Sequence, residues 1–229
     1  MATADRVEYD GEGLAEGALA STPLEQVNAW VDDAVLRHRE RGDVPEPTAL
    51  SVATVDAEGQ PDVRTVLMRF VQPRGIGFLT NTDSAKGHQI AANARIAASL
   101  TWPSMFRAIR FRGVAVPIGS ADVQGYFARR PWASRIGAWA SDQSRPTASR
   151  QALETAYARY AAEFPDQGND DDVPVPPHWG GYWLEAHRVE FWAGRPNRLH
   201  DRLVFDLLDP AGHGDLSLAE SWQVRRLQP

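Results

Sequence analysis

The chain has 229 residues, of which 43% are hydrophobic and 24% are charged, with a net charge of -6 and no cysteine. This composition is typical of a globular protein; it excludes disulfides and thiolate metal sites and gives no support for a nucleic-acid partner. No apolar run approaches the roughly 20 residues that span a bilayer, and no secretory signal pattern opens the chain. We therefore expect a cytoplasmic protein with no metal site and no membrane partner.

The N-terminal part of the chain changes character near Thr22. Residues 1–21 are acidic and rich in glycine and alanine, with little to bury, and are predicted to form a mobile tail. Residues 22–229 are predicted to form a single domain that begins with a helix from Pro23 to about Arg41. Beyond Ala49 the hydrophobic period changes to two, which is typical of strands.

Short turns separate the predicted strands, and this spacing favours an antiparallel sheet that closes into a barrel. The predicted strands are 49–56, 63–71, 76–80, 95–102, 107–118, 182–192, 202–208 and 223–227, with helices near 84–93, 121–129 and 147–164. The acidic, proline-rich segment 166–177 lacks the ligand spacing of a calcium loop, and we interpret it as an exposed loop.

Lys86 is the only lysine among 24 basic residues. It follows Asp83 and Ser84, either of which can cap the helix predicted to begin there. Backbone N–H groups at the start of a helix bind phosphate well, and a lysine in the first turn adds a mobile charge. A capped helix without any ligand is the common alternative, but the position of the only lysine favours a phosphate site.

Three further groups of residues combine cations with apolar neighbours. The strand segment 64–69 (RTVLMR) has arginines at both ends of a buried middle, and Tyr126, Arg130 and Ser134 recur at four-residue spacing. Arg198, His200 and Arg202 alternate, so in an extended strand they would share one face. These patterns alone fit a solvated, salt-bridged surface about as well as they fit a ligand site. A planar anionic ligand would explain the mixture of arginine and aromatic residues.

Together these segments resemble the pyridoxamine 5'-phosphate oxidase family, which has a similar tryptophan before an RLHxR segment and a similar ending to WQVRRLQP at 222–229. The resemblance extends from about Pro23 to Pro229. It implies a mainly β fold with flanking helices, namely the six-stranded antiparallel FMN-binding split β-barrel. It also implies a homodimer with FMN at the interface and a small-molecule substrate.

The resemblance also implies roles for individual residues by matched position. The FMN contacts would be Arg64, Thr65, Val66, Leu67, Met68, Arg69, Leu79, Thr80, Ser84, Lys86, Gln143, Ser144, Trp192 and Arg202. The substrate contacts would be Arg69, Tyr126, Arg130, Ser134, Arg198 and His200, with Arg198 and His200 as the catalytic pair. This chain departs from the family pattern at three of its positions: Arg69 replaces a lysine, Ala85 replaces a basic residue, and Ala108 replaces a glutamine.

The implied activity is the oxidation of pyridoxamine or pyridoxine 5'-phosphate to pyridoxal 5'-phosphate, with oxygen as acceptor and hydrogen peroxide as product. One alternative is the oxidation of reduced phenazine carboxylates, the activity of the phenazine-biosynthesis branch of the same family. Ala85 also occurs in that branch, whereas the intact set of Tyr126, Arg130 and Ser134 favours a phosphorylated substrate. A second alternative is a flavin- or haem-binding split barrel without turnover.

Overall fold

An eight-stranded antiparallel sheet is the centre of the computed structural model, which describes residues 8–209 and 214–229. Its strands are β1 (Ala49–Val55), β2 (Pro61–Gln72), β3 (Gly75–Asn81), β4 (Arg95–Trp102), β5 (Arg107–Pro117), β6 (Trp179–Ala193), β7 (Asp201–Leu207) and β8 (Trp222–Arg226). The strand order is β3-β2-β1-β4-β5-β6-β7-β8, and an additional pairing of β3 with β6 closes the first six strands into a barrel. The predicted six-stranded split barrel is therefore confirmed.

Alternation along the strands fills the barrel with apolar side chains. In β1 and β4, Leu50, Val52, Ala98 and Leu100 face inward and are almost completely buried, whereas their neighbours face outward. The long strand β6 pairs with β3, β5 and β7, and a register shift in its pairing with β5 follows Arg112. Because β6 joins the closing seam to the outer strands, it connects the barrel wall to the extension formed by β7 and β8.

Five α-helices flank the barrel: α1 (Pro23–Arg41), α2 (Ala85–Ala92), α3 (Ser120–Ala128), α4 (Trp132–Ala140) and α5 (Arg150–Glu163). Helix α1 begins where predicted: the Thr22 side chain accepts a hydrogen bond from the Glu25 N–H, and Gly42 in a left-handed conformation ends the helix. Within residues 8–209 and 214–229, no helix combines the length and the apolar character that crossing a bilayer requires.

Helix α4 was missed by the sequence analysis, which predicted no helix between residues 129 and 147 and interpreted Pro131 only as the residue that stops the preceding helix. Pro131 instead occupies the N-cap of α4 and accepts a hydrogen bond from the Ser134 N–H. Proline is compatible with the first turn of a helix because the N–H it lacks has no partner there. Helix α5 correspondingly begins later than predicted, at Arg150, with Ser149 as its cap.

The acidic segment after α5 is not a wholly exposed loop, and this corrects the interpretation from the sequence. Asp172 is buried and pairs with the buried Arg135 of α4 at 2.9 Å. The same guanidinium donates to the backbone carbonyls of Asn169 and Asp170. The segment therefore closes over α4 because the helix presents a buried cation that needs acceptors.

The N-terminal boundary also differs from the prediction. Residues 1–7 of the predicted mobile tail lie outside the described residues, but from Leu14 onward the chain packs against the barrel. Leu14 is buried, and its N–H donates to the Asp201 carboxylate at 2.8 Å. Arg226 of β8 donates a hydrogen bond to the Leu14 carbonyl and forms an ion pair with Glu16. The predicted tail was wrong for this part because its partners lie about 190 or more residues away in sequence.

Candidate functional site

A cleft of about 1000 Å³ lies between strand β2, the junction of β3 with α2, and helices α3 and α4. Four cationic side chains line it: Arg64, Arg69, Lys86 and Arg130. Among the described residues, Asp62 is the only carboxylate in its lining. The excess of positive charge in a concave, partly apolar site suits an anionic ligand.

Lys86 is buried at one end of this cleft, with 6% of its surface exposed. Its ammonium donates to Thr80 Oγ1 at 3.0 Å, Ser84 Oγ at 3.1 Å and Gln143 Oε1 at 2.5 Å. In the part of the chain that the structure describes, no carboxylate forms an ion pair with it. Burial, and secondly the Arg64 charge, lower the pKa of Lys86 to about 8. A buried ammonium with only neutral acceptors lacks the counter-charge that an anionic ligand supplies.

The start of α2 holds Lys86 in place. Ser84 is fully buried, and its hydroxyl donates to the Asn81 carbonyl while accepting from the Gly87 N–H. A Cβ on Gly87 would lie 1.9 Å from the Thr82 carbonyl oxygen, so only glycine lets the helix start this close to the preceding turn. Ser84 therefore supports Lys86 and does not itself line the cleft, which differs from the contact with FMN that the resemblance implied.

Arg64 forms a hydrogen-bond network beside Lys86. Its Nη1 donates to the Val52 carbonyl at 3.2 Å and to Thr54 Oγ1 at 2.5 Å. Its Nη2 donates to Asp62 Oδ2 at 2.6 Å and to Gln89 Oε1 at 2.9 Å. Gln89 belongs to α2, so the network joins the barrel wall to the helix that carries Lys86.

The rest of segment 64–69 is divided between the cleft and the core. Thr65, Val66, Leu67 and Arg69 line the cleft, as does Leu79 of the neighbouring strand. Met68 is 4% exposed and packs in the barrel core, so its side chain is not available for the cofactor contact that was expected. A register irregularity between Met68 and Phe70 interrupts the alternation at this point.

The second cationic end of the cleft is formed by α3 and α4. Arg130 lies 4.3 Å above the Trp179 ring, and Arg69 lies 5.9 Å from the Tyr126 ring centre. Arg130 Nη1 is buried and has no hydrogen-bond partner among residues 8–209 and 214–229, and burial is the main cause of the lowered pKa of Arg130. Tyr126, Arg130 and Ser134 line the same cleft, so the structure brings together the triplet that was identified by its spacing.

Gln143 and Ser144 follow α4 and also line the cleft. Gln143 accepts from the Lys86 ammonium, which connects this loop to the start of α2. Ser144 adopts a positive φ of 74°, a conformation that costs a non-glycine residue free energy and is concentrated at functional sites. The loop is therefore held in a specific conformation at the Lys86 end.

The remaining four predicted residues do not line this cleft: Trp192, Arg198, His200 and Arg202. Of these, Arg198, His200 and Arg202 were expected to share a strand face, but residues 196–198 form a short 3-10 turn, and strand β7 begins only at Asp201. Asn197 and Arg198 both have positive φ, so the chain reverses where an extended strand was assumed. The prediction of one shared face from Arg198 to Arg202 was therefore wrong.

His200 is held by its own loop and by aromatic neighbours. The Arg195 N–H donates to His200 Nδ1 at 3.1 Å, so a neutral imidazole carries its proton on Nε2. The ring lies 4.8 Å from Trp192 and 5.2 Å from Tyr9. His200 is thereby positioned as a hydrogen-bond donor through Nε2.

Arg202 is paired with Glu190 on the outer face of the sheet. Its Nε donates to Glu190 Oε1 at 2.8 Å, and Arg110 binds the other carboxylate oxygen. Burial alone would raise the pKa of Glu190, but the two guanidiniums outweigh burial and lower it. These side chains line a second, smaller cavity with Val63, which also lines the first cleft.

Asp62 and Trp179 are among the residues lining the first cleft that the sequence analysis missed. Asp62 could have been found, because it lies two positions before Arg64 and alternate residues of a strand share a face. Trp179 begins β6, far along the chain from Arg130, and no local pattern relates the two. Its place in the cleft depends on the pairing of β6 with β3.

Two family models match this chain. The model described as "Pyridoxamine 5'-phosphate oxidase" matches residues 37–163, and the model described as "Pyridoxine 5'-phosphate oxidase C-terminal dimerisation region" matches residues 179–229. Among curated proteins, the chain is 46% identical to a pyridoxine/pyridoxamine 5'-phosphate oxidase of Kineococcus radiotolerans, over 98% of this chain and 97% of the relative. It is 42% identical to one of Cupriavidus necator with the same coverage.

Solved structures with similar folds include two that cover most of the chain. PhzG from Burkholderia lata, in complex with tetrahydrophenazine-1-carboxylic acid, matches with a TM-score of 0.79 and 27% identity over 96% of this chain and 99% of that one. A pyridoxamine 5'-phosphate oxidase-related FMN-binding protein from Nostoc punctiforme matches with a TM-score of 0.63 and 18% identity, over 87% and 95% of the two chains. The second match supports the fold alone.

Proposed function

Because this chain belongs to the pyridoxamine 5'-phosphate oxidase family, we propose that it is an FMN-dependent oxidase of pyridoxamine and pyridoxine 5'-phosphate. The products are pyridoxal 5'-phosphate and hydrogen peroxide, with oxygen as the acceptor. The observation that carries the proposal is the cleft, which has two groups of cations. Lys86 and Arg64 suit a cofactor phosphate, while Arg130 and Arg69 suit a substrate phosphate.

The residues at the Lys86 end fit FMN. A buried ammonium without a carboxylate partner and an arginine beside it would hold the cofactor phosphate, with Thr80, Gln143 and Ser144 as further polar contacts. Val66 and Leu67 supply apolar surface for the flavin ring. When bound, FMN supplies a ring that accepts a hydride and delivers electrons to oxygen. The protein's own part is to bind and orient the two reactants.

The residues at the Arg130 end fit a phosphorylated substrate. Arg130 has a buried donor without a partner in the described part of the chain, and its guanidinium is held over Trp179. Tyr126 and Ser134 add hydroxyl groups, and Arg69 adds a second charge. Charge-assisted hydrogen bonds of this kind anchor the phosphate remote from the reacting carbon.

A homodimer accounts for the four residues outside the cleft. The match of residues 179–229 to a dimerisation region supports a homodimer, and those residues include Trp192, Arg198, His200 and Arg202. We assign them to the site of the second subunit, where Trp192 and Arg202 contact FMN and the other two contact the substrate. His200 then donates from Nε2, and Arg198 stabilises negative charge that develops on the substrate ring.

Oxygen uptake by the flavin-loaded protein tests the proposed function. We expect a yellow protein that releases FMN on denaturation and consumes oxygen with pyridoxine 5'-phosphate as substrate. The structural similarity to PhzG favours one second candidate, oxidation of a reduced phenazine carboxylate, so the same assay includes such a compound. Oxygen uptake with the phenazine but not with pyridoxine 5'-phosphate would show that the proposed substrate is wrong. A flavin-loaded protein that consumes oxygen with neither compound would indicate flavin binding without turnover.

Mixing two defective variants tests whether the site is shared between subunits. Arg130→Ala alters the cleft, and Arg198→Ala alters the loop that is proposed to enter the cleft of the other subunit. In a mixed dimer, one site combines the intact cleft of one variant with the intact loop of the other. After unfolding and refolding together, about a quarter of wild-type activity per subunit is expected at substrate concentrations far below KM, from random assortment of a two-fold dimer. Each variant refolded with itself is the control. No recovery above these controls would place all site residues in one chain.

A further inference from the structure

Asp62 brings a negative charge into a cleft whose other charged side chains are cationic. It lies on the same face of β2 as Arg64, two residues away, and its carboxylate is 2.6 Å from Arg64 Nη2. The Asp62 side chain is 55% exposed, whereas that of Arg64 is 18% exposed. The ion pair therefore stands at the edge of the Lys86 end, with the carboxylate toward solvent.

The hydrogen bonds of Arg64 leave little capacity for a ligand. A guanidinium has five N–H donors, and both Nη1 and Nη2 are engaged twice, by Val52, Thr54, Asp62 and Gln89. Within the described part of the chain, only the Nε donor has no partner. A phosphate that takes two donors from Arg64 must therefore displace one of these four acceptors.

Asp62 is the acceptor that can be displaced at the lowest cost. The Val52 carbonyl belongs to the barrel wall, and Thr54 is 1% exposed and also donates to Gln89. Withdrawing the Arg64 donor from either of them would leave a buried oxygen with one acceptor site unsatisfied and inaccessible to water, which is costly. The exposed Asp62 carboxylate can turn to water, and exposed ion pairs contribute little to stability.

We propose that Asp62 determines the affinity of this site for the flavin phosphate, because its carboxylate occupies the Arg64 donors that the phosphate takes. This inference rests on the proposed function. Ala85 adds no charge beside Lys86, so Arg64 and Lys86 are the cations that the phosphate meets at this end. Asp62 opposes binding in two ways: it must be displaced from Arg64, and it then repels the phosphate that replaces it.

Flavin titrations of an Asp62→Asn variant test the proposal. Asparagine keeps the size and removes the charge, and we expect the dissociation constant for FMN to fall by about two- to fivefold. Riboflavin, which lacks the phosphate, is expected to bind wild type and variant equally. Fluorescence quenching of each flavin by the flavin-free protein measures both constants. An unchanged or weaker affinity for FMN, or an equal gain for riboflavin, overturns the proposal.

Two comparisons make the result specific. Glu58→Gln removes an exposed carboxylate from the turn before β2 and is expected to leave the affinity for FMN unchanged. In an Arg64→Gln background, Asp62→Asn is expected to lose most of its effect, because the carboxylate acts through Arg64; a full effect there overturns the proposal. A wild-type chain that binds neither flavin overturns this inference and the proposed cofactor together, whereas FMN binding without a gain in Asp62→Asn overturns this inference alone.

Discussion

Replacing Arg130 with alanine is expected to raise the KM for pyridoxine 5'-phosphate by roughly one to two powers of ten, because a charge-assisted hydrogen bond is worth about 1.5–3 kcal/mol. Arg130 has a buried Nη1 that finds no partner among the residues the structure describes, and it supplies the charge of the Tyr126, Arg130 and Ser134 triplet. The substrate phosphate is remote from the reacting carbon, so its contacts are mostly uniform binding and kcat should change less. Steady-state oxygen uptake gives both constants.

Arg129→Ala is the matched control for this prediction. Arg129 precedes Arg130 in the chain but is exposed and does not line the cleft. We expect it to leave KM near the wild-type value, and we expect both variants to retain normal flavin content. An unchanged KM in Arg130→Ala, with rapid oxidation of a reduced phenazine carboxylate, would instead favour the phenazine substrate.

Replacing Lys86 with alanine is expected to weaken FMN binding by roughly 10- to 150-fold, from the loss of one charged hydrogen bond worth about 1.5–3 kcal/mol. The effect is large because Lys86 is 6% exposed and the acceptors of its ammonium, Thr80, Ser84 and Gln143, are neutral. Turnover at saturating FMN should fall less, since Lys86 is proposed to hold the cofactor phosphate rather than to contact the substrate. Flavin titration and oxygen uptake separate the two effects.

The affinity of wild type for FMN should also depend on pH through Lys86. Its pKa in the ligand-free protein is lowered to about 8, so the ammonium proposed to bind phosphate predominates below pH 8, is half lost at pH 8 and disappears as the pH rises further. A phosphate monoester loses its second proton near pH 6, so we expect constant affinity between about pH 6 and 8. Above pH 8 binding must take up a proton, and affinity should fall by up to about tenfold per pH unit.

Lys86→Met is the control for both measurements on Lys86, since methionine retains an unbranched side chain without the charge. It should weaken FMN binding as alanine does, and it should abolish the decrease in affinity above pH 8. If flavin affinity is unchanged in either variant, Lys86 does not bind the cofactor phosphate. If the decrease above pH 8 persists in Lys86→Met, another group titrates.

Much of the fold could be predicted because its signals are local. Alternation of apolar residues located all eight strands to within three residues of their observed ends, and Thr22 with Gly42 marked the limits of α1. The region around Pro131 was misinterpreted because proline ends one helix and begins another with the same φ. The packing of Leu14 and the buried pair of Arg135 with Asp172 depend on partners distant in sequence, which no local pattern reveals.

By itself, the sequence determined which residue types this protein has for holding anions. They are a single lysine at the start of a helix, arginines at both ends of a strand, and the Tyr126, Arg130 and Ser134 triplet at helical spacing. These patterns follow from local backbone geometry, because strand and helix periods decide which side chains share a face. Only the tertiary structure decided that Lys86 and Arg130 line one cleft, that Met68 lies in the core, and that Arg198 to Arg202 lie outside the cleft. The physical reason is that strand pairing sets the distances between residues far apart in sequence, above all where β3 pairs with β6. A local period carries no information about which strands pair.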